Sequence, residues 1–306
     1  MRRLRKIVSS LTASTGAMHG GIANDDGRLA DLTGFGSNPG ALDARIYAPI
    51  DSPTALVVVL HGCTQTAAGY DKGSGWSQLA DRHGFALLFP QQRRANNPNL
   101  CFNWFAPGDA RRGRGEALSI SQMIQHLAAR YRLDSSRTFI TGLSAGGAMS
   151  SVMLTSYPEL FAGGAVIAGL PFASANSVPE ALERMRGQGS PTRQELAARA
   201  LAAADHKSSL PTLSVWHGTH DTTVEPSNAT AIVDQWRDLN GIGTSSGSVE
   251  NVQGHRREIW RDAEGRVIIE RYDIQGMGHG TPLDPGDGQF CGAAGPHMLD
   301  AGICST

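Results

Sequence analysis

The stretch Ala55-Leu-Val-Val-Val-Leu60 is apolar at every position. A strand with one wet face alternates apolar and polar residues. An uninterrupted run instead fits a strand buried on both sides, as in a parallel sheet covered by helices. Comparable runs follow at Phe85-Ala-Leu-Leu-Phe89, which Pro90 is expected to stop, and at Thr138-Phe-Ile-Thr141, Ala165-Val-Ile-Ala168 and Thr212-Leu-Ser-Val-Trp216. Helical segments are expected between them. Residues 76–83 form a short one, and residues 117–131 carry Leu118, Met123, Ile124 and Leu127 at helical spacing. Two more helical stretches precede Thr212, and Asn228 to Leu239 is a last candidate. The alternation predicts a doubly wound α/β fold. Arg256 to Trp260 and Val267 to Tyr272, joined through Ala263-Glu264-Gly265, read as a hairpin returning to the sheet. No repeat or low-complexity linker interrupts the pattern, so residues 41–306 are expected to form one domain behind an N-terminal extension, residues 1–40, that is partly flexible.

Within this frame, Gly142-Leu-Ser144-Ala-Gly146 has the Gly-x-Ser-x-Gly spacing of a nucleophile elbow, in which a tight turn lifts a serine hydroxyl clear of the backbone. The same spacing recurs at Gly243-Thr-Ser245-Ser-Gly247, so the pattern alone decides nothing. Context separates the two. A strand precedes Ser144 and helix-tolerant residues run from Ala145 to Tyr157, whereas Ser245 lies in a cluster of Asn, Gly and Ser that reads as loop.

A serine nucleophile needs a base and an orienting acid, which in an α/β-hydrolase fold follow it in the order Ser, Asp or Glu, His, each just past a strand. Asp221 follows the strand ending near Trp216, and His279 follows the one near Tyr272 on a glycine-flanked loop. Glu225 and Asp273 remain alternatives for the acid. Backbone donors for a developing oxyanion are expected at Ala145, next to the nucleophile, and at Cys63, with Thr64 as a lesser choice, in the loop after residues 55–60. Residues 171–211 form the largest insertion, either a cap over the site or a plain packing helix pair.

Other readings are narrower. His217-x-x-His220-Asp221 with His279 is a donor set that suits zinc, but it leaves the Ser144 elbow without a purpose. A binding module on a hydrolase-like fold typically lacks a member of the triad, and none is missing here. No metal or cofactor is expected. A formal net charge of −1 gives no electrostatic reason for nucleic-acid binding, and no apolar run approaches the roughly 18 residues of a membrane-spanning helix. Arg2, Arg3, Arg5 and Lys6 could open a signal peptide, but Ser9-Ser10 follow Ile7-Val8 at once, so no adequate apolar stretch succeeds them. The four cysteines allow three pairings. The close spacing of Cys291 and Cys304 favours a terminal staple, and Cys63 with Cys101 would tie two site loops together. Four reduced thiols are the alternative.

Taken together, His61-Gly-Cys-Thr-Gln65, Gly73-Ser-Gly-Trp76, Asn99-Leu-Cys-Phe-Asn-Trp-Phe105, Gly142 to Gly146, Trp216-His-Gly-Thr-His-Asp221 and Gly276-Met-Gly-His279 resemble the catalytic domain of poly(3-hydroxybutyrate) depolymerases and their esterase relatives, over roughly residues 40 to 300. The resemblance implies an α/β-hydrolase fold, Ser144, Asp221 and His279 as catalytic residues, and the Cys63 amide in the oxyanion hole. It also implies an ester whose acyl part lies near Trp104, with Thr64 and Trp76 as further substrate contacts. It further implies an extracellular or periplasmic protein acting on a small or polymeric ester. Short-chain esters and hydroxybutyrate oligomers are expected ahead of intact polymer, with acetylated or feruloylated plant polysaccharide as the alternative. Oligomeric state is not legible.

Overall fold

A computed structural model describes residues 27–204, 209–286 and 291–306. The basic cluster at Arg2, Arg3, Arg5 and Lys6 lies outside the described residues, as do positions 205–208 of the insertion. Ten strands form one sheet in the order β1-β2-β4-β3-β5-β6-β7-β10-β9-β8. These are β1 Ala30–Asp31, β2 Asp43–Tyr47, β3 Leu56–Leu60, β4 Ala86–Gln91, β5 Thr138–Leu143, β6 Gly163–Ile167, β7 Thr212–Gly218, β8 Ser248–Val252, β9 His255–Arg261 and β10 Val267–Ile274. From β4 through β3, β5, β6 and β7 to β10 every neighbouring pair is parallel, while β1 with β2, β2 with β4, and β9 with β10 and with β8 are antiparallel. Two short strands, β11 Thr281–Leu283 and β12 Met298–Asp300, pair in parallel apart from the main sheet. The architecture is an α/β-hydrolase fold in a single domain. Residues 27–40 are tied to it by the pairing of β1 with β2 and by buried Leu29 and Leu32.

The period of the buried strands explains two cores. Leu56, Val58, Leu60 and Ile140 face one cluster, while Val57, Val59, Leu87 and Phe89 face the other. The first is covered by α3 (Gly115–Tyr131), α4 (Ala145–Ser156) and α7 (Ser227–Leu239), through Ile120, Met149 and Trp236. The second receives Tyr70 of α1 (Ala67–Ser74), Ala80 of α2 (Trp76–His83) and the C-terminal Met298 and Ile303. In the 171–211 region, Ser177 caps α5 (Val178–Met185) and a Thr192–Glu195 capping box starts α6 (Arg193–Ala203). α6 lies along α7, where Gln235 donates to the carbonyls of Leu196 and Phe172 and Arg193 pairs with Asp238.

Several boundaries differ from expectation. β4 runs through Pro90 to Gln91. Its pairing with β3 ends at Leu88, so beyond that residue the strand has only β2 beside it and the missing proline N–H costs little. α1 was not legible, because Ala-Ala-Gly-Tyr-Asp-Lys-Gly-Ser carries two glycines and little apolar periodicity. Tertiary burial of Ala67 and Tyr70 and the Thr66 N-cap supply what propensity lacks.

Candidate active site

Ser144 stands between β5 and α4 with φ 57° and ψ −117°, a backbone conformation that side-chain-bearing residues rarely adopt. Its N–H donates to Ile167 O at 2.9 Å, which ties the turn to the end of the neighbouring β6. The turn is possible because α4 lies almost against β3. A Cβ at Gly146 would sit 2.3 Å from Leu60 O and 2.6 Å from His61 O. Ser245, by contrast, lies in a surface loop and donates to Ile242 O at 2.8 Å, so the second Gly-x-Ser-x-Gly is a local turn.

Asp221 and His279 meet directly, with His279 Nδ1 2.7 Å from Asp221 Oδ2. Their loops leave the C-terminal ends of β7 and β10, and Ser144 leaves the same end of the parallel β5. The two loops are clamped together by the main chain. His220 N–H donates to Met277 O at 2.9 Å, Thr219 N–H to Ile274 O at 3.0 Å, and a Cβ at Gly218 would sit 2.3 Å from Met277 O. Asp221 Oδ1 accepts from the amides of Thr223 and Val224, both at 2.9 Å. Burial opposes charge on Asp221, but hydrogen bonds from His217 and His279, the charge of His279 and the Val224 amide outweigh it. They hold the carboxyl well below its usual range. A carboxylate on Nδ1 leaves His279 Nε2 with its lone pair, the tautomer of a general base. The alternatives are engaged elsewhere: Asp273 sits on β10 between Arg256 and Arg271, and Glu225 packs against Gly187.

The loop after β3 is held by a buried histidine. His61 Nδ1–H donates to Gly62 O at 2.7 Å, while Nε2 accepts from Gln92 N–H at 3.2 Å. Both contacts demand the neutral ring, and burial lowers its pKa to about 4. Gln92 donates onward to Glu116 at 2.6 Å, and Glu116 accepts from Asn103 N–H at 2.8 Å. Burial raises Glu116 to about 8, so at neutral pH this acid beneath the loop is mostly protonated. Cys63 is bonded to Cys101, tying the two loops together, and Cys291 to Cys304, the closely spaced terminal pair. Thr64 N–H is spent on Asn99 O at 2.6 Å, which removes it as an oxyanion donor. Cys63 N–H has no acceptor among the described residues, and Ala145 N–H opens α4, where the helix supplies none.

The aromatic candidates separate. Trp104 is 5% exposed and packs edge-on to Phe105 on the disulfide-bonded 99–105 loop. Trp76 contacts Phe85, just before β4, and lines a groove of about 410 Å³ with Val57, Phe139, Gly163 and Leu213. Those residues belong to the N-terminal halves of their strands, away from the end that carries Ser144. Trp76 is therefore not where substrate contact was expected, because α2 runs back toward the start of β4. Two further histidines flank the candidate site. His297 precedes β12 and stands edge-on to His279, 5.9 Å between ring centres. His217 lies buried beside Asp221, its Nε2 3.4 Å from Oδ2 and 2.8 Å from Val224 O. The sequence offered no separate signal for either. His220 is exposed, and among the described residues no cluster of three or more His, Cys, Asp or Glu side chains is arranged to hold a metal.

This geometry can be set beside known proteins. A family model described as esterase PHB depolymerase matches residues 45–260. The chain belongs to that family. It is 43% identical over 282 residues to poly(3-hydroxyalkanoate) depolymerase C of Paucimonas lemoignei, covering 91% of this chain and 68% of the relative. It is 34% identical over 294 residues to acetylxylan esterase A of Aspergillus oryzae, covering 92% and 94%. Among solved structures, acetyl xylan esterase from Aspergillus awamori superposes with a TM-score of 0.75 at 28% identity, over 83% of this chain and 94% of the other. The family member is a carboxylic ester hydrolase.

Proposed function

We propose that this esterase hydrolyses short-chain acyl esters and hydroxybutyrate oligomers, with intact polyester as a further substrate, through an acyl-enzyme on Ser144. The observation that carries the reading is the 2.7 Å contact of His279 Nδ1 with a buried, ionised Asp221 at the sheet end where the elbow presents Ser144. His279 Nε2 takes the hydroxyl proton as Oγ attacks the ester carbonyl, and Asp221 stabilises the imidazolium that forms. The amides of Cys63 and Ala145 bind the oxyanion, where one lost donor costs about 10² to 10³ in rate. The proton then passes to the leaving alkoxide. Water, deprotonated by the same imidazole, attacks the acyl-enzyme and releases the acid. A place for Trp104 beside the acyl group is supported by its loop being tied through Cys101 to Cys63, the candidate oxyanion donor.

Acetylated xylan is the second reading, supported by the near full-length match to acetylxylan esterase A and the TM-score of 0.75. Hydrolysis of p-nitrophenyl butyrate by Ser144→Ala beside Ser245→Ala tests the mechanism. The first is expected to lose at least about 10³ in kcat and the second to be unchanged; the reverse pattern would overturn the assignment. Release of hydroxybutyrate from oligomers and suspended polymer, compared with acetate from acetylated xylan and ferulate from methyl ferulate, ranks the substrates.

A further inference from the structure

We propose that His217 is a positioning residue whose Nε2–H, held mainly on Val224 O with Asp221 Oδ2 as a second, longer acceptor, fixes the turn that carries Asp221 and so keeps the carboxylate aligned on His279. The inference rests on the reading of Ser144, Asp221 and His279 given above. His217 is the next-to-last residue of β7, four positions before Asp221, and both side chains are essentially inaccessible, at 1% and 0%. Its Nε2 faces two acceptors, Val224 O at 2.8 Å and Asp221 Oδ2 at 3.4 Å. Nε2 must therefore carry the proton. Nδ1 is buried and has no partner among the described residues. A hydrogen on Nδ1 would find no acceptor, so the tautomer that fits carries its hydrogen on Nε2 and leaves Nδ1 bare.

That arrangement is costly, since an orphaned buried nitrogen loses its hydration without replacement. An apolar residue at the end of β7 would avoid the loss. What it would not provide is a donor on the carboxylate. Asp221 Oδ1 is already held by two amides, whereas Oδ2, the oxygen that meets His279, has among the described residues only His279 and, at longer range, His217 to define it. The same Nε2–H also holds Val224 O, so one proton ties the acid to the turn that follows it. The titratable groups facing this pair are His279 after β10, His217 on β7 and His297 ahead of β12, which packs edge-on to His279. Of these His217 alone touches Asp221 from behind.

Without that donor, the carboxylate and the turn behind it are held less well. His217→Leu fills the space and removes the donor, while His217→Gln returns an N–H at a similar reach. With p-nitrophenyl butyrate, His217→Leu is expected to lower kcat by on the order of tenfold with little change in KM. His217→Gln should restore kcat to within about threefold of wild type. A wild-type kcat in His217→Leu, or a loss that falls on KM instead, overturns the proposal, as does His217→Gln matching His217→Leu. Nitrogen-15 NMR of the unaltered enzyme tests it independently of folding in the variants. His217 should carry its ring hydrogen on Nε2, and the Nδ1–H tautomer refutes it. Ser144→Ala keeps the two readings apart. If it retains activity, the site itself is misassigned; if it is inactive, the His217 results judge this inference alone.

Discussion

Asp221→Asn removes one charge and no atoms, yet the structure predicts a large effect. Oδ1 accepts from two main-chain amides and must remain an oxygen, so the new NH₂ takes the place of Oδ2. There it meets His279 Nδ1 at 2.7 Å and His217 Nε2–H at 3.4 Å. Two N–H donors cannot face each other, so His279 resolves the conflict by moving its proton to Nε2 and accepting at Nδ1. The ring is then the wrong tautomer to receive a proton from Ser144. Lost tautomer control and lost imidazolium stabilisation together are expected to lower kcat by about 10⁴, or ~5.5 kcal/mol in barrier, as in other serine hydrolases given the same change. Folding should suffer less, because both amide contacts survive and the unresolved donor pair at His217 costs about 1 to 3 kcal/mol. The assay is steady-state p-nitrophenyl butyrate hydrolysis at pH 7 to 8, with urea unfolding of the same preparation. A loss in kcat of less than tenfold in a folded variant would refute the reasoning. Asp221 would then not be the acid that orients His279.

Two further outcomes follow from geometry and burial. Gly146→Ala drives a methyl group to 2.3 Å from Leu60 O and 2.6 Å from His61 O, both main chain. It should cost about 3 kcal/mol or more on urea unfolding and abolish esterase activity, and a stable, active variant would show that the elbow does not need this approach. His61 is depressed to about 4, so between its unfolded pKa of about 6.5 and that value the unfolded chain binds the extra proton. The stability it contributes is present above pH 6.5 and is lost as pH falls toward 4, up to about 3 kcal/mol. The gap in unfolding free energy between wild type and His61→Asn should narrow over that interval; a constant gap argues against a neutral, buried ring.

The catalytic candidates were legible because a strand end followed by a flexible loop is a local pattern. Ser144, Asp221 and His279 each sit just past a run that the chain needed for its sheet anyway. Contacts made across the sequence were not legible. Thr64 stood as the lesser oxyanion donor beside Cys63 until the 99–105 loop took its amide through Asn99 O. Trp76 carried the same promise as Trp104, and only the course of α2 turned it toward Phe85. Thr281–Leu283 and Met298–Asp300 are too short to register as strands in the sequence, yet their pairing brings His297 to His279.

From its sequence alone, this chain determined a mostly parallel sheet and singled out one candidate elbow from two Gly-x-Ser-x-Gly matches, with a candidate acid and base after it. Continuous apolar runs and strand-end glycines encode these locally. Tertiary structure decided which carboxylate answers His279. Glu225 and Asp273 lie close to Asp221 or His279 in sequence, but one packs against Gly187 and the other is held between arginines on β10. Clamping of the β7 and β10 loops brings Asp221 alone to Nδ1, because hydrogen bonding depends on distances of a few tenths of an ångström that spacing in the chain does not specify.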